Sequence, residues 1–226
     1  MVSRVKWTDT ELIVAVKHYL DMKYSKIFKF DKTDDNVIEC HRILSLLPNN
    51  NERSIGSVNY KIMNIASLDP DCQVKVFGNA GFRDGMIWNK YCNNQELLMK
   101  DYEESILSPI ILKEYDKSCC VSGMNDSMFL KTTPIVPFKF ETSISMSPKN
   151  RLCFAPIYDV AYSKGYFTIN TDYTIQFSSC MDMVSDKIYN MYFKPYEGEL
   201  ISLPNNKSCL PEKAFLDYHR EHIFIE

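Results

Sequence analysis

Nowhere in the 226 residues does an apolar run approach the roughly 18 to 20 residues that cross a bilayer, so no membrane-spanning helix is expected. Positive charge is not in excess either. The 26 Lys and Arg stand against 29 Asp and Glu, a formal −3, and no global positive field advertises nucleic acid. A local basic face stays open, because a patch acts through its own field. No C-x-x-C occurs among Cys40, Cys72, Cys92, Cys119, Cys120, Cys153, Cys180 and Cys209. A zinc ribbon is therefore not expected, and reduced thiols in a cytoplasm are. The opening "MVSRVKWTDTELIVAV" puts polar and charged residues before its apolar part and lacks a small-residue cleavage site, unlike a signal peptide. Histidine is scarce: His18, His41, His219 and His222 are all there are. No internal repeat or low-complexity tract is found. What is present, 45% apolar and 24% charged residues, is the make-up of an ordinary folded chain with a core.

The first half reads as helix throughout. In "TDTELIVAVKHYLDM", Thr8 and Glu11 have capping-box spacing, and Leu12, Val14, Val16, Tyr19 and Leu20 follow on an apolar face, giving a helix over about 8–22. "TDDNVIECHRILSLLP" is acidic at its start and closed by Pro48, with Val37, Ile38, His41, Ile43, Leu44 and Leu47 on or near its inner face. Ser54 caps "SIGSVNYKIMNIASLDP", whose Ile55, Val58, Ile62 and Ile65 recur at three- and four-residue steps. A glycine-bearing turn, "FGNAGFRDG", leads to a helix carrying Met86, Ile87, Trp88 and Tyr91, and Asn94 opens the charged connector "QELLMKDYEESIL". Lys6 and Trp7 read as an anchor for the first helix. Tyr24, Phe28 and Phe30, alternating with lysines, read as an extended segment turning its aromatics inward.

After about residue 108 the character changes. "SCCVSG" and "TPIVPF" look short and strand-like, broken by prolines. "GYFTINTDYTIQFSS" is a hairpin around Asn170, Thr171 and Asp172. "DMVSDKIYNMYF" predicts a helix, and "PEKAFLDYHREHIF" predicts a last one with Pro211 near its start.

In order along the chain, "SCCVSG", "TTPIVPF", "NRLCFAPIYDVAYSKGYFTI", "EGELISLP" and "PEKAFLDYHREHIF" resemble segments of the histidine–asparagine–histidine (HNH) endonucleases of the restriction-like type, over roughly residues 117–226. "WTDTELIVAVKHYLDM" and "RSIGSVNYKIMNIASLDP" are similar to the helical region that often precedes such nucleases. The resemblance implies an α+β protein: an all-helical DNA-recognising domain over 1–107, then a degenerate ββα-metal (His-Me finger) domain over 108–226.

In that family one histidine at the end of a strand activates water, an asparagine fixes the loop, and a second histidine on the helix completes a site for one divalent ion. The resemblance places Pro134, Asn150 and Tyr158 at these three positions, with Asp159 following as in the family. Proline has no side-chain base, and a neutral tyrosine is a poor ligand for magnesium-like ions. No metal ligand set and no cofactor is therefore expected; a divalent ion such as magnesium would enter only through a rearranged site using Asp159 with Asn150. His219 and His222, three apart, are expected in packing or at the surface rather than on an ion.

Binding needs no metal. Lys131, Lys139, Lys149, Arg151 and Lys164 lie near the degenerate site and could contact phosphates. On the helix after Ser54, Arg53, Ser57, Asn59, Lys61 and Asn64 form an outward set suited to base edges and backbone. The resulting expectation is a protein that binds double-stranded DNA, modified DNA included, in a restriction or defence setting without efficient cleavage. Two alternatives stay open: an active endonuclease with a rearranged site, and a protein-interaction partner, as a homodimer or beside an active nuclease.

Overall fold

The computed structural model describes residues 6–48, 52–72, 74, 76, 78–137 and 146–226. It is an α+β protein with a helical N-terminal region and two small antiparallel sheets. The chain divides into two compact units, Met1–Ile106 and Leu107–Glu226.

The first unit is built around α1 (Asp9–Ser25). Thr8 Oγ1 accepts the Glu11 amide while the Glu11 carboxylate accepts the Thr8 amide at 2.7 Å, so the capping box forms. Every residue from Glu11 to Leu20 is buried. The helix is enclosed by α2 (Asp35–Leu46), α3 (Ile55–Ala66), α4 (Phe82–Tyr91) and α5 (Gln95–Tyr102), rather than resting one apolar face on a core. That enclosure takes in Lys17, whose ammonium meets Asp21 at 2.6 Å, and His18. Ile38 points to solvent instead of inward. The aromatic segment is also resolved differently: α1 runs on to Ser25, which leaves Tyr24 exposed, while Phe28 lies against Tyr19 and Phe30. Trp7 does anchor the bundle, with the Arg53 guanidinium 4.6 Å from its ring centroid and the Lys61 ammonium at 5.3 Å.

A π-helical turn, Glu103–Leu107, joins α5 to α6 (Ser108–Glu114). Pro109 has no amide to give the preceding turn, which accounts for the widened ladder just before it.

In the second unit β1 (Lys131–Pro134) pairs antiparallel with β2 (Arg151–Phe154), Thr133 opposite Leu152 and Pro134 opposite Arg151. The helix α7 (Pro156–Ser163) follows β2 with Pro156 in its first turn, and it packs on both strands. A second pair, β3 (Phe167–Ile169) and β4 (Ile175–Phe177), is the expected hairpin. Then come α8 (Asp186–Tyr192) and α9 (Lys213–His222). "SCCVSG" is a turn and not a strand: the Cys119 amide reaches the Met124 carbonyl and the Gly123 amide reaches the Cys119 carbonyl. Its Cys120 amide then docks on the Cys153 carbonyl of β2 at 2.8 Å. Only the start of "TTPIVPF" is strand; Phe138, like Lys139, lies outside the described residues.

Gly165 is the tightest joint. With φ at 75° it ends α7 in the left-handed region, and a Cβ there would fall 2.0 Å from the Ile223 carbonyl oxygen. Its own carbonyl accepts the Ile225 amide at 3.0 Å, so the segment after α9 is stitched beneath the α7–β3 turn.

Candidate functional site

The β1–β2 pair with α7 brings Pro134, Asn150, Tyr158 and Asp159 into one hairpin-and-helix unit. Asn150 is fully buried just before β2, and its amide group is used completely along one edge. Oδ1 accepts the Val136 amide at 2.8 Å and Nδ2 donates to the Val136 carbonyl at 3.0 Å. With the Ile135 amide donating to the Asn150 main-chain carbonyl, the chain leaving β1 is clamped onto the start of β2. This is backbone pairing carried out by a side chain, and it leaves neither group unsatisfied in the interior.

Asp159 is committed too. Oδ1 accepts the Thr133 hydroxyl at 2.7 Å, and Oδ2 lies 3.4 Å from the Lys131 ammonium. The carboxylate thus ties α7 to both ends of β1. Pro134 supplies no polar side-chain atom at the strand end.

Tyr158 points into an aromatic cluster. Its ring makes edge-on contacts with Phe167, Phe193 and Tyr196, and its hydroxyl donates to the Tyr192 carbonyl at 2.8 Å. Burial, reinforced by the neighbouring Tyr196, pushes the phenol pKa well above its ordinary value, so it stays a neutral donor. These residues do not fit a divalent ion: one has no donor atom, one offers a protonated and engaged phenol, and the carboxylate is shared between a hydroxyl and an ammonium. Among the described residues no three His, Cys, Asp or Glu side chains are grouped to hold a metal.

His219 and His222 part company. His219 is buried, stacked on Tyr162 with ring centroids 3.7 Å apart. Its Nε2 faces the Tyr162 carbonyl at 3.1 Å and its Nδ1 faces the Thr168 hydroxyl at 3.0 Å. A carbonyl can only accept, so Nε2 carries the proton and Nδ1 accepts from Thr168. Desolvation pushes the imidazole pKa down to about 4. His222 is exposed beside the Tyr218 ring.

No family model matches the chain, and no curated protein matches it.

The geometry also sorts the residues read as DNA contacts. Arg53 is turned inward: its Nε and Nη2 donate to the two Glu11 carboxylate oxygens at 2.9 and 3.0 Å, and Nη2 also reaches the Lys6 carbonyl. Burial alone would raise the Glu11 pKa, but the Arg53 and Thr8 hydrogen bonds outweigh it and hold the carboxylate below its usual range. Lys61 donates to both Asp84 oxygens at 2.8 and 2.9 Å. Asn59 donates to the Phe30 carbonyl, and Asn64 accepts the Asn79 amide. Ser57 is half-buried one turn into α3. The outward recognition face is thus corrected for Arg53 and Lys61, whose charges hold α3 to α1 and α4.

Near the hairpin, Arg151 is corrected as well. It is fully buried, and Nη1 donates to the Asn150 carbonyl at 3.0 Å, where no phosphate can reach. Lys149 is half-buried and pairs with Glu212 at 3.0 Å. Lys164 is exposed at the end of α7. Sequence reasoning missed Thr133 and Lys131 as partners of Asp159. It also missed Tyr173, Lys207 and Lys213, which share a cleft with Lys149. No local signal marked them: the φ of 69° at non-glycine Tyr173 on the β3–β4 turn exists only in the folded chain.

Proposed function

We propose that this chain is a degenerate member of the HNH endonuclease group that binds double-stranded DNA and does not cleave it. The observation carrying the reading is Asn150. The asparagine expected to fix the loop of a ββα-metal unit does bridge the strand-end loop and the second strand, with both amide groups bonded to Val136. On this reading the framework persists without the chemistry: Pro134 has no base, Tyr158 is spent on a carbonyl, and Asp159 holds Thr133 and Lys131. Nothing in that set can deprotonate water or neutralise a leaving alkoxide, so DNA would be bound through phosphates. The cytoplasmic, restriction- or defence-like setting belongs to the same reading.

The test is supercoiled plasmid incubated with magnesium, manganese or nickel ions, next to a salt titration of duplex binding. The expected outcome is intact plasmid with binding that weakens as salt rises. Nicking by the wild-type chain that vanishes in Asp159→Ala would establish the rearranged active site instead.

A second reading has its own observation. α8 carries no buried side chain and exposes Ile188, Met191 and Tyr192, with Met183 exposed just before it. An apolar face of this kind suits a protein partner. Duplex binding that is absent even at low salt would favour it.

A further inference from the structure

We infer that the DNA backbone is held in a lysine-lined cleft of the second unit, formed by the 3-10 turn Pro148–Asn150, the β3–β4 turn and the start of α9. This inference rests on the DNA-binding reading above and assigns it a surface that the degenerate site does not supply.

The cleft has a volume of about 360 Å³, and Lys149, Tyr173, Lys207, Glu212 and Lys213 are its polar lining residues. Three lysines and one glutamate line it, and with Asp172 within electrostatic reach of Lys213 the local balance is one positive charge on a chain whose formal charge is −3. Glu212 spends its charge on Lys149 at 3.0 Å, between side chains that are both about two-fifths exposed. Such an exposed pair is weak, and an arriving phosphate can take over the Lys149 ammonium. Lys207 and Lys213 are exposed and make no ion pair among the described residues. The Asp172 carboxylate accepts from the Thr174 amide and hydroxyl at 3.1 and 2.6 Å and keeps its charge, which offsets part of that of Lys213.

The walls are fixed before any ligand arrives. The Tyr173 hydroxyl donates to the Pro211 carbonyl at 3.2 Å, which braces the β3–β4 turn against the entry to α9. The Glu212 amide donates to the Lys149 carbonyl at 3.2 Å, which braces that entry against the hairpin loop. Glu212 stands at the N-cap of α9 but makes no side-chain bond to the helix, which leaves the Lys213 and Ala214 amides without a side-chain cap. They add to the lysines rather than stand in for them. The cleft also adjoins Asn150 in sequence, so a strand lying there runs beside the hairpin-and-helix unit. Lysine and backbone amides contact phosphates without reading bases. The ligand is accordingly the phosphodiester backbone of duplex DNA, taken without regard to sequence by this cleft alone.

The experiment uses the full chain and a short labelled duplex, titrated across a range of salt concentrations. The wild-type chain is compared with Lys207→Ala/Lys213→Ala, with Lys207→Arg/Lys213→Arg and with Lys164→Ala; thermal melting of each variant checks folding. The double alanine variant should bind about tenfold more weakly at low salt, and the slope of log affinity against log salt should fall by about two. The arginine pair should bind like wild type. Wild-type binding with a normal salt slope in the double alanine variant would overturn the cleft and leave the DNA-binding reading standing. An arginine pair as weak as the alanine pair would overturn it too, since charge would then not be what binds. No salt-dependent binding by the wild type would overturn the cleft and the DNA-binding reading together.

Discussion

Asn150 shows how one side chain can do the work of a strand. Among the described residues Val136 pairs with no neighbouring backbone, and the amide of Asn150 supplies both a donor and an acceptor at the right spacing. Asn150→Ala would leave that N–H and C=O buried and unpaired, at about 1–3 kcal/mol each. We expect a loss of about 2–4 kcal/mol in urea denaturation, against little change for a substitution at exposed Lys164. Asn150 was singled out by the resemblance of its segment, while its hydrogen-bonding capacity alone names no partner. Arg53 and Lys61 were misread because their partners are remote in sequence. A cation on a helix face looks free until its partner is known, and Glu11 lies 42 residues from Arg53 while Asp84 lies 23 from Lys61.

At the scale of elements, the local signals carried far. The Thr8–Glu11 box, the Ser54 cap and the alternation of β3 and β4 each decide a short piece of chain by themselves, and each formed. "SCCVSG" failed because its backbone partners are Met124 and Cys153, the second of which is remote in sequence. α1 failed in part because periodicity reports one apolar face, whereas enclosure by four other helices buries the opposite one as well. The α7–β3 junction is the most demanding of these pieces. Gly165→Ala would force a Cβ into the Ile223 carbonyl and place alanine at a left-handed φ. Left-handed backbone alone costs about 1–2 kcal/mol, and the clash adds to it. A destabilisation above about 3 kcal/mol is expected by urea titration, and a near-neutral result would contradict the close approach.

For the whole molecule, each unit encloses a histidine that burial keeps neutral: His18, with neither ring nitrogen hydrogen-bonded among the described residues, and His219, locked between Tyr162 and Thr168. Burial lowers both pKa values below the ordinary 6.5, with Lys17 and Arg42 adding to the effect at His18. The unfolded chain therefore binds more protons than the folded one as acidity rises. The stability these groups contribute is complete above pH 6.5 and drains as pH falls, for His219 until about pH 4, where the folded imidazole itself titrates. From pH 6.5 to about 5.5, above most of the range where unfolded carboxylates titrate, each histidine should contribute a slope approaching about 1.4 kcal/mol per pH unit. Urea midpoints measured across that window should drop steadily; a flat profile would contradict neutral burial.

The bond from Ile225 to Gly165 also sets an order of events when the chain is made. Synthesis delivers the hairpin, Asn150 and α7 long before α9 and the segment behind it. Until that last stretch leaves the ribosome, Tyr162 lacks the imidazole that stacks on it and the turn at Gly165 lacks its closing partner. The second unit is thus a late folder by construction, exposed to chaperones and proteases for most of its own translation.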